Sequence, residues 1–197
     1  MNPKIIIKIS PSYDSTKLEN KTLRANFDDF VDVYADRVRG WLLNWAHELN
    51  KPEHAGFAAV QLALAFLEGF AVFYYGEDSD KRSKVFFGRG LRLVFPCLDD
   101  LSDDQRDAVE SSFYRHVRCG LFHLGMPRTG VILQDSGKPL GFDLTADNKV
   151  AAIFVDRHEL VQAIRTRFET YVNELRDISA TDRRKCFCIA WDIVHGR

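Results

Sequence analysis

The segment from Tyr114 to Gly125 combines basic and titratable side chains, with Arg115, His116, Arg118 and His123 close together. Arg115 and Arg118 are three residues apart and share a face if the segment is helical. His123 lies five residues beyond Arg118, a step that rotates by roughly 140° on an ideal helix. A long arginine side chain or a loosened last turn would bring the guanidinium and the imidazole together.

These residue types suit the cleavage of a phosphodiester bond in RNA. Attack by the 2′-hydroxyl requires a base for its proton, an acid for the leaving oxygen and positive charge beside the phosphate. Histidine can supply the base and the acid, and arginine the charge, so we expect neither a metal ion nor another cofactor. One histidine cannot perform both roles in one step. Two copies of the chain that meet across a two-fold axis would supply one imidazole for each role.

The charge balance excludes proteins that bind polyanions through an overall positive charge. The 197 residues include 27 Lys and Arg against 28 Asp and Glu, a formal net charge of -1, so no chain-wide positive field is present. With 46% hydrophobic residues, the chain is long enough for one domain with a hydrophobic core.

Four scattered cysteines are too few for a disulfide framework, and Met1 leads into Asn-Pro-Lys rather than an apolar segment. We therefore expect a reducing cytoplasm.

The spacing of apolar residues predicts a mainly helical protein. Apolar residues recur at three- and four-residue steps from Asn26 to Leu49, and an almost wholly apolar stretch follows from Phe57 to Tyr75. A capping-box pattern of Ser102 and Gln105 precedes the segment that carries the arginines and histidines. The predicted helices cover Asn26–Leu49, Phe57–Tyr75, Lys81–Phe95, Asp103–Phe122 and Asp156–Arg176.

The apolar stretch from Phe57 to Tyr75 approaches the ~20-residue length that a bilayer span requires. Glu68 lies near its centre, where lipid would penalise a carboxylate by roughly 3 kcal/mol. The flanking residues have no basic bias that would orient a span. We therefore expect a buried core helix and no membrane association.

Short runs of β-type residues predict strands at Ile5–Ile9, Val131–Leu133, Leu140–Leu144 and Val150–Val155. The last three predict a small hairpin or a three-stranded meander, and the tail from Arg183 predicts a last strand or a docked segment. The fold class is therefore mainly α (α+β), a helical bundle with a small β appendage. A single domain is expected to comprise an N-terminal strand and polar lead (1–25), core helices with the arginine–histidine segment (26–124), the β appendage (125–156) and a C-terminal helix and tail (157–197).

The end of the predicted helix that starts at Asp103 resembles a known motif. The run Arg118-Cys119-Gly120-Leu121-Phe122-His123 is similar to the Arg-x4-His motif of the HEPN superfamily (higher eukaryotes and prokaryotes nucleotide-binding domains). The resemblance covers about Phe27 to His123 and extends more loosely to the helix after Asp156. Many members are metal-independent endoribonucleases of toxin–antitoxin, anti-phage and RNA-processing systems. They act as homodimers whose arginines and histidines line one cleft.

The resemblance implies a role for each polar residue of the motif. Arg118 would contact phosphate and His123 would act as the acid and base. Beside these two, we expect Arg115, His116, Cys119 and Glu68 to be supporting or RNA-contacting residues. It also implies a homodimer, RNA or a nucleotide as ligand, and an antitoxin protein as a candidate partner. Active members usually carry Asn, Asp or His directly after the arginine, whereas this chain has Cys119, which forms weaker hydrogen bonds. The alternative is a catalytically inactive HEPN-type module that binds a nucleotide, RNA or a protein.

Glu68 is expected to lie against the motif. A carboxylate in a buried helix requires a partner or must be neutralised, and Arg118 is the expected partner. The resulting ion pair would either position the motif or be purely structural.

Other features have simpler interpretations. Cys186 and Cys188 lack a second Cys/His pair at finger-like spacing, so we expect buried thiols rather than half of a metal site. Trp41 and Trp45 repeat at helical spacing, which is more typical of a core or a dimer interface than of a base-stacking platform. The run Arg183-Arg184-Lys185 is typical of a solvated face, and the alternative is a set of extra phosphate contacts.

Overall fold

The structure, a computed structural model, describes residues 5–135 and 137–196, and predictions that fall on residues 1–4, 136 and 197 lie outside these ranges. Its helices are α1 (Phe27–Val38), α2 (Asn44–Leu49), α3 (Gly56–Tyr75), α4 (Ser83–Val94), α5 (Asp103–Ser112), α6 (Cys119–Leu124), α7 (Arg157–Arg176) and α8 (Thr181–His195). Its strands are β1 (Val131–Leu133), β2 (Leu140–Leu144) and β3 (Val150–Val155). The predicted fold class, mainly helical with a small β appendage, is therefore confirmed.

The first long helix is continuous from α1 to α2 because a π-helical turn, Arg39–Leu43, joins them. The predicted helix Asn26–Leu49 is confirmed, with a π-helical turn in its middle. Its inner face carries Phe30, Val31 and Leu43, which are almost completely buried. Burial of this apolar face, rather than intrinsic helix propensity, supplies most of the stability of such a helix.

Helix α3 lies at the centre of the bundle and packs against α2, α4, α7 and α8. Its end is set by Gly76, whose φ of 68° is left-handed and therefore favours glycine. The helix and its preceding turn, from Glu53 to Tyr75, are long and apolar enough to cross a membrane, but 61% of the most apolar window is buried inside the fold. The expectation of a buried core helix is confirmed, and this burial is consistent with a soluble protein.

The tail from Arg183 belongs to a helix, α8, that packs on the bundle, so the predicted last strand is wrong and the alternative of a docked segment is confirmed. Phe187, Ala190 and Trp191 are buried at helical spacing, whereas Ile189, which suggested strand alternation, is 41% exposed. The Phe187 ring meets the Phe27 ring edge-on at 5.3 Å between centroids, which docks α8 on α1. The tail is therefore a helix because its aromatic residues pack on α1, although its apolar residues also alternate as they would in a strand.

The predicted strand Ile5–Ile9 is also wrong. Residues Ile5 to Ile7 are exposed, and the segment makes one isolated bridge, between Lys8 and Asp14. A strand requires a neighbour for its backbone hydrogen bonds, and the sheet of this protein forms elsewhere in the chain. The end of the segment is held instead by Arg37, whose Nε donates a hydrogen bond to the Ile9 carbonyl at 2.5 Å. Just beyond it, the Asp36 carboxylate accepts hydrogen bonds from the Ser10 hydroxyl at 2.6 Å and the Ser12 amide at 2.7 Å.

The small sheet has the strand order β1-β3-β2. Strands β2 and β3 pair antiparallel, which confirms the predicted hairpin, whereas β1 pairs parallel to β3, so the alternative of a meander is wrong. The sheet leads directly into α7. Asp156 caps this helix, because its carboxylate accepts hydrogen bonds from the amides of His158 and Glu159 at 3.0 and 3.1 Å.

Two helix glycines provide a matched test of the packing between α3 and α4. A Cβ built on Gly90 would overlap the carbonyl oxygen of Leu67, whereas a Cβ on Gly69 would meet nothing within 4 Å. We expect Gly90→Ala to destabilise the protein by about 1–3 kcal/mol, the usual cost of overpacking. Gly69→Ala should stabilise it by roughly 0.5–1 kcal/mol through helix propensity. Urea unfolding of the two variants measures both changes, and equal effects would contradict the close approach of α3 and α4.

Candidate functional site

The motif lies on a helix that contains a π-helical turn shortly before its C-terminal end. The capping box at Ser102 and Gln105 starts α5, as predicted, and a π-helical turn, Phe113–Arg118, connects α5 to α6. Phe113 and Val117 are fully buried within that turn. Single π turns inside α-helices occur frequently at functional sites, and this one carries Arg115, His116 and Arg118.

The helix ends at Gly125, whose φ of 71° is left-handed, and the chain then folds back on the motif helix. A Cβ on Gly120 would lie 2.9 Å from the Met126 carbonyl oxygen and 3.0 Å from the Arg128 nitrogen, so this glycine permits the close crossing. The Arg128 amide donates a hydrogen bond to the carbonyl of His116 at 2.8 Å. Nδ1 of His116 lies 3.3 Å from the Thr129 carbonyl oxygen. The structure therefore uses the backbone and ring of His116 to hold this loop.

The Arg118 guanidinium is positioned by two aromatic rings of its own helix. Its Cζ lies 4.6 Å from the centroid of Phe122 and 5.4 Å from that of Tyr114. Phe122 and Tyr114 are four residues after and before the arginine, so both rings extend along one side of the helix. Cation–π contacts of this kind restrict a long side chain without neutralising its charge.

Glu68 of α3 is the carboxylate partner of Arg118, as predicted. Its Oε2 lies 3.9 Å from Nη2 of Arg118, and the two side chains are 24% and 22% exposed. The other oxygen, Oε1, accepts a hydrogen bond from the Ser79 hydroxyl at 3.0 Å. The ion pair is therefore long, and it joins the motif helix to α3 and to the turn that follows α3.

His123 is exposed one turn beyond Arg118 and makes no hydrogen bond within residues 5–135 and 137–196. Arg115 is also exposed and has no ion pair in the same ranges. Phe122, whose ring contacts the Arg118 guanidinium, precedes His123 directly. The structure thus holds the Arg118 guanidinium partly exposed. An unengaged imidazole follows five residues later on the same helix, and the exposed Arg115 precedes Arg118 by three residues.

Cys119 occupies the position after the motif arginine and is half-buried. Burial is the main cause that raises the pKa of the Tyr114 phenol, the Arg118 guanidinium opposes the rise, and Cys119 adds to it. The thiol and the phenol are therefore neighbours on the same side of the helix as Arg118. The phenol therefore remains a neutral hydrogen-bonding group at neutral pH.

Sequence reasoning missed three residues of this site: Tyr114, Phe122 and Ser79. The two aromatic residues could have been found, because their spacing of four from Arg118 is visible in the chain. Ser79 could not, since its contact with Glu68 depends on how the turn after α3 folds back.

In the basic run Arg183-Arg184-Lys185, the two arginines form neither a solvated face nor a set of phosphate contacts. The Arg183 guanidinium lies 3.2 Å from the Tyr74 ring centroid and also contacts the Tyr74 carbonyl. The Arg184 guanidinium lies 3.8 Å from the Phe27 ring centroid and donates to the Leu175 carbonyl at 2.6 Å. These two cations hold helices together, and Lys185 alone of the three is exposed.

The structure answers part of the predictions made for the tryptophan pair, Trp41 and Trp45, and the cysteine pair, Cys186 and Cys188. Trp41 and Trp45 are 51% and 58% exposed, so the expectation of a core role is wrong, and a dimer interface or a stacking platform remains a prediction. Cys186 and Cys188 are half-buried free thiols. Within residues 5–135 and 137–196, no group of three or more His, Cys, Asp and Glu side chains is arranged to hold a metal ion.

Comparison with protein-family models, curated proteins and solved structures found no match to this chain. The likeness to the HEPN superfamily therefore rests on the motif and on the order of the helices. The geometry of Arg118, His123 and Glu68 carries the functional argument that follows.

The length of the ion pair between Arg118 and Glu68 predicts a weak coupling. A double-mutant cycle with Arg118→Gln and Glu68→Gln, measured by urea unfolding, should give about 0.5–1 kcal/mol, the range of solvent-accessible pairs. The pair Arg92–Glu110 is the matched control, because its atoms are 3.1 Å apart and Glu110 is only 15% exposed. It should couple more strongly. A coupling above ~3 kcal/mol for the first pair, the scale of a buried pair, would mean that Arg118 is locked into a structural role.

Proposed function

We propose that this protein is a metal-independent endoribonuclease that cleaves RNA through attack of the 2′-hydroxyl, at a cleft formed by two copies of the chain. The observation that carries the proposal is the state of Arg118 and His123, which lie five residues apart on one helix. The guanidinium is held by two rings and one distant carboxylate, and the imidazole is exposed and unengaged on the adjacent turn. The proposal includes a HEPN-type function and a cytoplasmic location, the latter supported by the four free cysteines.

Each side chain has a defined task in this mechanism. Arg118 would stabilise the negative charge that develops on the phosphate in the transition state. His123 of one copy would accept the 2′-hydroxyl proton, and His123 of the second copy would protonate the leaving oxygen. Arg115, which is exposed and unpaired in the described ranges, is free to contact a further phosphate. The His116 ring already contacts the Thr129 carbonyl, so this residue serves better as a positioning residue.

The surface beside His123 supports a homodimer. Phe122, Leu124 and Met126 are 39%, 56% and 58% exposed, and they surround the imidazole in the chain. On α3, next to the motif helix, Ala65 and Gly69 are exposed and have no bulky side chain. Exposed apolar side chains that are neighbours of His123 in the chain are suited to contact a second copy.

The second candidate function is a catalytically inactive module of the same fold that binds a nucleotide, RNA or a protein such as an antitoxin. Cys119 favours it, because a half-buried thiol replaces the polar side chain that active HEPN members carry after the arginine. A role in a toxin–antitoxin or anti-phage system is compatible with either function. The activity of the purified protein separates the two candidates.

Replacement of His123 tests the catalytic proposal directly. We expect the purified protein to cleave mixed RNA in EDTA and to leave cyclic phosphate ends. His123→Ala should lower the rate by about 100-fold or more, the scale of a lost general acid or base. Because this imidazole is exposed, the melting temperature should change by no more than about 2 °C.

His47→Ala is the matched control, since His47 is another exposed helix histidine. It should leave the cleavage rate unchanged. Undiminished cleavage by His123→Ala would show that His123 is not catalytic. Intact RNA after incubation with the wild-type protein would favour the inactive module.

Mixing of subunits tests whether the cleft is shared. If both histidines are required, random pairing of equal amounts of wild-type and His123→Ala chains leaves about one quarter of the clefts complete. Activity, measured after the chains are unfolded and refolded together, should then fall to that fraction of an all-wild-type sample at the same total concentration. Half of the activity would indicate that each chain acts alone. Sedimentation equilibrium of the wild-type protein provides the oligomeric state independently.

A further inference from the structure

A second site with the character of an anion-binding groove lies between the segment before α1 and the outer face of α8. Its volume is about 820 Å³, and its walls come from Lys21–Arg24 on one side and from Lys185, Ile189 and Asp192 on the other. It shares no lining residue with the Arg118–His123 site. An inference about this groove is therefore independent of the proposed ribonuclease activity.

The chain forms this groove for local reasons. Leu23 is 8% exposed and anchors the segment before α1 in the core, which leaves its neighbours Thr22 and Arg24 at the surface. On α8, Lys185, Ile189 and Asp192 recur at steps of four and three, so they form one stripe that faces this segment. The groove is thus built from two elements that the core holds in place.

Positive charge dominates the groove. Lys21, Arg24 and Lys185 contribute three cations against the single carboxylate of Asp192. The Lys21 ammonium is paired with Asp29 at 2.6 Å. Arg24 and Lys185 are exposed and have no carboxylate within ion-pair distance in residues 5–135 and 137–196. Two unpaired cations beside one cavity are an exception in a chain whose formal net charge is -1, and they give the groove a local affinity for anions.

The charges surround a common point at the floor. Burial is the main cause that raises the pKa of the Cys188 thiol, and Asp192 adds to the rise. Arg24 and Arg184 oppose it. Arg24 and Asp192 line the cavity together with Cys188, so charges of both signs border the floor of the groove.

The floor is apolar. Leu23, Cys188 and Ile189 line it, and Ile189 is 41% exposed. A free phosphate ion would fill only a small part of this volume, whereas pockets for small organic ligands span roughly 300–1,000 Å³. The combination of an apolar floor with a cationic rim favours a ligand that joins an anionic group to a flat, weakly polar body.

We propose that this groove binds a nucleotide phosphate, with the phosphate between Arg24 and Lys185 and the nucleoside against Ile189 and Leu23. Guanidinium and ammonium groups bind phosphate oxygens through charge-assisted hydrogen bonds. The exposed Thr22 hydroxyl is a further donor at the rim. The nucleotide is either a free mononucleotide or a residue of a single-stranded RNA.

Isothermal titration calorimetry with defined probes tests this proposal. The probes are adenosine monophosphate, adenosine and a short oligoribonucleotide. The oligoribonucleotide is titrated into the His123→Ala protein, so that cleavage cannot consume it. We expect adenosine monophosphate to bind at least tenfold more tightly than adenosine. Binding of the mononucleotide alone identifies a free nucleotide as ligand, and tighter binding of the oligoribonucleotide identifies RNA. Equal binding of adenosine and its monophosphate, or no binding of any probe, would overturn the proposal.

Three variants assign the binding to the groove. Arg24→Glu combined with Lys185→Glu should weaken binding by about tenfold or more, because both phosphate contacts are lost. Asp192→Asn should strengthen binding two- to threefold, since it removes the groove's own carboxylate. Lys81→Glu combined with Lys84→Glu, at two exposed positions before and within α4, is the charge-matched control and should have no effect. A loss with this control as large as that of the groove double variant would show that overall charge, not the groove, attracts the ligand.

Should the double variant fail to fold, as judged by circular dichroism, Lys185→Gln provides a milder test. Lys185 is exposed and makes no ion pair in the described ranges, so its neutralisation should leave the fold intact. It should weaken binding about threefold and reduce the dependence of the affinity on salt, because one fewer counterion is released. Unchanged affinity and unchanged salt dependence would count against the groove.

Discussion

The architecture depends on the need to remove α3 from water. This helix is apolar on almost every side, and a helix of that kind is stable in a soluble protein only when neighbours surround it. Helices α2, α4, α7 and α8 pack against it and satisfy this requirement. Aromatic rings fill the space between them, as in the contact of Phe187 with Phe27. The small sheet contributes less to this core and leads into α7.

Burial of α3 also determines the character of the candidate site. Glu68 is its only charged side chain, so it lies at the margin of the buried face and attracts a cation there. The motif helix supplies that cation with Arg118. The pair is long, and the guanidinium is supported by ring contacts as well. Such an arrangement orients the arginine and leaves most of its hydrogen-bonding capacity unused.

The distribution of positive charge shows how a nearly neutral chain can contain anion-binding surfaces. Several arginines are used internally, where their guanidinium planes stack on aromatic rings, as Arg183 does on Tyr74. Others remain unpaired at the surface, near His123 and in the groove beside α8. Overall charge excludes a protein that binds polyanions by its whole surface. It does not exclude two local sites, because screening at physiological salt limits each field to about 8 Å.

Sequence alone determined the elements whose burial pattern is local: the long first helix, α3, α4, the motif helix with its capping box, the three strands and α7. It also indicated that Glu68 and Arg118 would meet, since a buried carboxylate needs a partner. Tertiary structure decided the rest. Ile5 to Ile9 have strand character but no partner strand, and the tail becomes α8 because its aromatic residues pack on α1. The uses of Ser79, Arg183 and Arg184 depend on surfaces from distant parts of the chain. Local patterns report which face of an element is apolar, and only packing determines what that face will contact.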